Sequence, residues 1–286
     1  MLMQSSFRAG CTPAAARPGV PVAVTPRVNR ETVLVFGWGR ALLLHLAHPL
    51  VAAGVADHSA FLGQPGERWH RLWRTVEALA ALANGTTADA VQAARRVNAR
   101  HARVQGRLRE AAGIFPAGTV YSARDPDLLL WVHAVTVESM LRAHECFVGP
   151  LASHEMDQYC AEMGRIGLLL GIPEASIPTC VADLRGDLDT TKASGAITVT
   201  GTARALATEI LETRAPTGTG ALRPLVRFAA VGLLPPEVRN DYGFPWDGRH
   251  EAALLCSAAL LRRARPLLPD LRFVLTRLAH GYGPRP

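Results

Sequence analysis

Apolar residues recur along nearly the whole chain at the spacing of one face of an α-helix. A run at 198–202 is the only one that resembles a strand, and it is short. The pattern therefore predicts an all-α protein. The expected helices cover residues 32–56, 66–83, 87–110, 126–148, 153–171, 175–191 and 202–213, with two or three more between 222 and 280.

Proline and capping residues predict where several of these helices begin or break. The first helix should kink or break near His48 and Pro49, because a proline inside a helix removes a backbone hydrogen bond. Thr86, with Asp89 three residues later, is typical of a capping box at the start of the third helix. Residues 113–124 should form a loop before the next helix starts.

The domain organisation that we expect is simple. Residues 30–286 contain no repeat and no Pro/Ser-rich linker, which predicts a single all-helical domain. Residues 1–29 are rich in small residues and proline and lack the apolar run of a secretory signal, which predicts a mobile leader. Arg40 interrupts the longest apolar stretch and would be costly inside a bilayer, so we expect no stable membrane insertion.

Composition narrows the partners and the compartment. The chain has 286 residues, of which 49% are hydrophobic, so it can bury a large core and is not globally disordered. Its net charge is +7, but the basic residues are scattered, so we expect no nucleic-acid partner. Lys192 is the only lysine, which argues against lysine-based covalent catalysis. The five cysteines are widely spaced without a CxxC motif, which indicates reduced thiols in a cytoplasmic protein.

Histidines on apolar helical faces are the strongest chemical signal in the sequence. His101 continues an apolar stripe that includes Val91, Ala94 and Val97. Such a residue is either a hydrogen-bonded core histidine or an axial ligand of haem iron, because haem needs an apolar slot between helices. His133 is surrounded by apolar residues on every side, and core packing is the simpler explanation for it.

Two further groups of polar residues leave alternatives open. Four histidines, His45, His48, His58 and His101, could together hold a non-haem metal ion, although the HxxH spacing alone is generic.

The helix expected over 66–83 carries the second group. Arg68 and Arg71 share a face, and so do Arg71 and Thr75. This face is either solvated, or it points a guanidinium at haem propionates or at bound oxygen.

Four segments in a fixed order resemble one enzyme family: RALLLHLAHPLVAAGVADHSAF, RLWRTV, RRVNARHARVQG and YSARDPDLLLWVHAVTVESMLRAHE. From about residue 33 to residue 269 the chain resembles the latex-clearing-protein (rubber oxygenase) family of haem b oxygenases. That family also contains the ER-bound oxygenase of mycophenolic acid biosynthesis and many small bacterial proteins. The resemblance implies a globin-like packing around haem b and the cleavage of a carbon–carbon double bond by dioxygen.

The resemblance also implies roles for particular residues. His101-Ala102-Arg103-Val104 matches the family's His-Ala-x-Val segment, so His101 should be the proximal ligand that holds the metal. The family's Arg-x-x-Lys-Thr motif corresponds to residues 71–75, with an arginine in place of the lysine, so no amine is available there to ligate iron. The family's general-base glutamate falls near Asp57. The resulting candidates are Asp57, His58, Arg74 and Thr75 for catalysis and His101, Arg71, Arg68 and His133 for cofactor binding.

The function expected from the sequence is therefore that of a cytoplasmic haem b oxygenase, an oxidoreductase that uses dioxygen. Its partners should be a small hydrophobic, unsaturated metabolite and an electron donor. Two alternatives remain open: a non-haem metal enzyme with a multi-histidine site, and a haem-binding or small-molecule-binding protein without turnover.

Overall fold

The structure, a computed structural model, describes residues 23–58, 65–213, 223–271 and 273–274, without the side chains of 65–70 and 84. Within these ranges the fold is all-α, as the sequence predicts, with one small antiparallel sheet of β1 (Gln105–Arg107) and β2 (Val120–Ser122). The helices are α1 (Val24–Asn29), α2 (Leu34–Leu46), α3 (Pro49–His58), α4 (Pro65–Asn84), α5 (Thr87–His101), α6 (Pro126–Phe147), α7 (Ser153–Leu170), α8 (Val181–Ala193), α9 (Gly201–Glu212), α10 (Arg223–Gly232), α11 (Pro236–Asp241) and α12 (Gly248–Ala264).

The long apolar segment at the start of the domain is two helices, which confirms the predicted break. α2 and α3 meet at an angle of 99° on either side of His48 and Pro49. The His48 Nδ1 atom accepts a hydrogen bond from the backbone N–H of Leu50, so this side chain caps α3. The carbonyl of Ala47, which the broken helix leaves unused, accepts the N–H of Thr198.

α6 lies at the centre of the molecule, packed along α2 and against α7, α8 and α12. Asp125 caps its start and Pro126 occupies the first turn, as the sequence predicts. A buried ion pair between Arg40 of α2 and Glu138 of α6 ties the two helices together. Arg40 also donates to Ser139 Oγ and to the Leu233 carbonyl, so the guanidinium that interrupts the apolar run is satisfied inside the core.

α1 corrects part of the predicted N-terminal leader. Val24 and Val28 of α1 are buried in the main core. The carboxylate of Glu162 on α7 accepts the backbone N–H groups of Val24 and Thr25, which satisfies two donors at the helix start. Residues 23–29 therefore pack with the domain, while the rest of the predicted leader lies outside the described residues. The division into one domain stays a prediction.

Two expectations about local structure are wrong. The helix predicted over 87–110 ends at His101, and β1 follows it. Gly106 disfavours helix, and it also leaves room for Tyr121, whose hydroxyl oxygen would lie 2.4 Å from a Cβ at position 106. The run at 198–202 forms no strand, because Thr200 caps α9 by accepting the N–H of Ala203.

The cysteines and the apolar helices bear on the expected compartment. Cys146, Cys160 and Cys256 are free thiols, but Cys180 is disulfide-bonded, so the expectation of five reduced cysteines is wrong. Among the described residues, no single helix has both the length and the hydropathy needed to cross a bilayer, and only the bent pair α2–α3 meets both conditions together. The cytoplasmic location stays a prediction.

Candidate functional site

α4 carries the predicted arginine–threonine motif. Arg71 and Thr75 are both half-buried and lie one turn apart, and the Thr75 hydroxyl donates to the Arg71 carbonyl oxygen at 3.1 Å. Arg74 is exposed, so it points away from the face that Arg71 and Thr75 share. The side chain of Arg68 lies outside the described residues. The structure therefore places two of the four predicted α4 residues together.

His101 is the last residue of α5, and the confirmed capping box of Thr86 and Asp89 holds the other end of this helix. The ring of His101 is half-buried, and its Nδ1 atom is fully buried with no hydrogen-bond partner among the described residues. Burial lowers the pKa of His101, and the nearby positive charge of Arg71 lowers it further. The imidazole is thus neutral at neutral pH, which is the form that binds a metal ion.

Positive charge gathers around Arg71. Burial lowers the pKa of Arg71, and the neighbouring charges of Arg100 and Arg74 lower it further. Arg71 therefore lies beside His101 and within electrostatic range of two further guanidinium groups, those of Arg74 on its own helix and Arg100 on α5. Such a cluster complements a ligand that carries carboxylates.

His133 of α6 lies close to α7. It is 6% exposed, its Nε2 atom is buried with no partner in the part of the chain that the structure describes, and burial lowers its pKa to about 4. A Cβ at Gly167 of α7 would lie 3.6 Å from its Cε1 atom. From α5, Asn98 donates to the carbonyl of Leu169, two residues further along α7. His101 and His133 thus lie on helices that flank the last turns of α7, and each has an unsatisfied ring nitrogen.

Asp57 and His58 are positioned by the hairpin of β1 and β2, which follows His101. The Asp57 carboxylate accepts hydrogen bonds from Arg109 Nη2 at 2.8 Å and from the Tyr121 hydroxyl at 2.6 Å. The Nε2 atom of His58 donates to the Gln105 carbonyl at 3.0 Å. Burial and the bond to Asp57 raise the pKa of Tyr121, so this phenol stays protonated and donates. These contacts fix the end of α3 against the hairpin.

The structure does not bring together the four histidines of the non-haem alternative. The Nε2 atom of His45 donates to the Val132 carbonyl, and the Nδ1 atom of His48 is used in capping α3. Burial lowers the pKa of each to about 4. In the part of the chain that the structure describes, no three His, Cys, Asp or Glu side chains are grouped so that they could hold a metal ion.

Sequence reasoning missed the residues that hold Asp57. Tyr121 and Arg109 are 64 and 52 positions away from it along the chain, and neither shows a helical periodicity that would link it to α3. The apolar stretch at 128–132 is largely core, and Leu129 packs with Ile172 and Ile177.

A comparison with protein families decides the relationship that the motifs imply. The family described as "ER-bound oxygenase mpaB/B'/Rubber oxygenase, catalytic domain" matches residues 26–266. The chain belongs to this family. No curated protein and no solved structure matches the chain. Membership in a family of oxygenases makes this chain an oxygenase by class, and the matched residues include α4, α5 and the hairpin described above.

Proposed function

We propose that this oxygenase depends on haem b and acts with dioxygen on a small hydrophobic, unsaturated metabolite, whose carbon–carbon double bond it cleaves. The observation that carries the proposal is the neutral, half-buried His101, whose buried ring nitrogen has no partner among the described residues. A buried polar atom left without a hydrogen bond is costly, and coordination of iron by this nitrogen would remove that cost.

The residues around His101 fit haem b. Haem carries two propionate carboxylates beside a large apolar ring system, and the guanidinium of Arg71 lies near His101 with Arg100 and Arg74 beside it. Charge-assisted bonds from guanidinium to carboxylate are among the strongest polar contacts in proteins. The haem iron, when bound, supplies the centre that binds and activates dioxygen.

The chain's own residues would then divide the remaining tasks. His101 would hold the iron, and Arg71 would anchor a propionate. The Thr75 hydroxyl already donates to its own helix, but its oxygen lone pairs can still accept a hydrogen bond. Arg74, being exposed, would contribute charge to this cluster rather than contact the reacting atoms.

Asp57 would act as the proton acceptor, with His58 beside it. Both of its oxygens accept a hydrogen bond, yet a carboxylate has about four lone-pair directions, so room remains for a substrate proton. The bonds from Tyr121 and Arg109 orient the group, which general-base catalysis requires. The Nδ1 atom of His58 is not used in its bond to the hairpin.

The experiment is a hemin titration followed by absorption spectroscopy. His101→Ala should abolish tight haem binding, and added imidazole should restore it, because the small molecule can fill the place of the missing ring. His154→Ala, which removes an exposed histidine from α7, is the control and should bind hemin like the wild type. Full haem content with an unchanged spectrum in His101→Ala would rule out this ligand, and His133 would then be tested in the same way.

A further inference from the structure

α12 is apolar on both of its faces, although only one of them packs against the fold. Leu254 and Ala258 are buried against neighbouring helices, as expected for a surface helix. On the opposite side, Leu255 and Leu260 are 62% and 64% exposed. Leu267, in the 3₁₀ turn directly after the helix, is 86% exposed. We call the exposed side the α12 outer face; it comprises Ala252, Leu255, Cys256, Ala259 and Leu260.

Two arginines bracket this face. Arg249 in the first turn and Arg263 in the last turn are 14 positions apart, nearly four full turns, so both lie on the outer face. No described residue forms an ion pair with either guanidinium. The neighbouring Arg262 instead donates a hydrogen bond to the Glu145 carbonyl, and Arg265 forms an ion pair with Glu31.

The face carries no negative charge of its own. Glu251 is the only acidic residue in α12, and its carboxylate accepts the indole N–H of Trp246 beside the helix start. An apolar stripe with a cation at each end and no acid between them matches one kind of partner: an apolar layer covered by anionic groups.

We propose that the α12 outer face binds the surface of an anionic lipid bilayer, with the helix axis parallel to the membrane. The leucines would enter the boundary between headgroups and acyl chains, and the two arginines would contact lipid phosphates. This contact lies on the membrane surface and needs no spanning helix, in line with the absence of one among the described residues.

A second copy of the chain fits the face less well. Two α12 helices packed antiparallel through this face would place Arg249 of one copy close to Arg263 of the other, at both ends of the contact. With no acid on the face, these like charges would meet unpaired, which opposes association.

Membrane contact would also serve the reaction proposed above. An apolar substrate concentrates in lipid, so an enzyme held at the surface would meet more of it. That advantage rests on the proposed function, whereas lipid binding itself rests only on α12. A protein that binds no haem would therefore contradict the proposed function alone, and a protein that ignores anionic vesicles would contradict lipid binding alone.

The test is co-sedimentation of the full chain with vesicles. The protein should sediment with vesicles of phosphatidylcholine mixed with phosphatidylglycerol and stay in solution with phosphatidylcholine alone. Arg249→Gln combined with Arg263→Gln should weaken binding about 30-fold, since each cation near an anionic surface contributes to affinity. Leu255→Gln combined with Leu260→Gln should weaken it about 10-fold or more.

Matched double variants elsewhere serve as controls. Arg165→Gln with Arg185→Gln removes the same charge from exposed positions of α7 and α8, and both residues should be dispensable for binding. Ile114→Gln with Val120→Gln removes apolar side chains that are 56% and 60% exposed. The proposal is overturned if the protein ignores the anionic vesicles, if the controls lose as much binding, or if sedimentation velocity shows a dimer that the leucine variants abolish.

Discussion

At the scale of single residues, Arg71 and Arg74 are three positions apart on α4 and differ in burial. Arg71 is half-buried beside His101, whereas Arg74 is exposed. The sequence showed that Arg71 and Thr75 share a face, because helical spacing requires it. It could not show which arginine faces the imidazole, since that depends on how α4 packs against α5.

This difference predicts unequal effects on haem binding. Arg71→Ala should weaken haem affinity about 10-fold or more, because a hydrogen bond to a charged group contributes about 1.5–3 kcal/mol. Arg74→Ala removes the same charge from an exposed position and should cost less than about 1 kcal/mol. Hemin titration of both variants measures the two affinities. Equal, small effects of the two substitutions would indicate that this face of α4 is a solvated surface without a role in haem binding.

At the scale of secondary-structure elements, the sequence predicted most helices but not the hairpin. Periodicity and caps place α6 and α7 within a residue or two of their observed ends. The hairpin was hidden because Val104 and Leu108 continue the apolar spacing of α5 although they lie beyond its end. Both residues pack in a cluster with Tyr121, a long-range contact that no local pattern contains. The partial burial of His101 was predictable for the converse reason, since the apolar stripe that indicates it is local.

The two hydrogen bonds to Asp57 predict different losses of stability when its partners Tyr121 and Arg109 are replaced. Tyr121→Phe removes a buried hydroxyl that donates to the carboxylate and should lower the free energy of unfolding by about 1–3 kcal/mol. The Arg109 side chain is 84% exposed, so Arg109→Ala should cost less than about 1 kcal/mol. Urea unfolding of the two variants compares these free energies. A larger loss in Arg109→Ala than in Tyr121→Phe would contradict this account of how Asp57 is held.

At the scale of the whole molecule, histidines whose rings are desolvated make the fold sensitive to acid. Burial lowers the pKa of His45, His48 and His133 from 6.5 to about 4, because the charged ring loses its hydration. Between these two values the unfolded chain binds protons that the folded chain does not. The neutral rings therefore make their full contribution to the free energy of unfolding above pH 6.5, and this contribution is lost as the pH falls towards 4.

The expected loss is about 3 kcal/mol for each ring over that range, since one pKa unit corresponds to about 1.4 kcal/mol. Urea unfolding near neutrality and at about pH 5 measures the first part of this loss, about 2 kcal/mol for each ring. His133→Leu should flatten the pH dependence by the share of one ring, whereas His154→Leu, at an exposed position, should leave it unchanged. A free energy of unfolding that is equal at both pH values would contradict the neutral, buried state of these histidines.

The central claim, that His101 and the arginines around it hold haem b, is tested most directly by the visible absorption spectrum of the protein purified from cells supplied with iron. The account predicts a red protein with a Soret band that shifts when carbon monoxide is added to the reduced form. A colourless protein that also takes up no added hemin would contradict it.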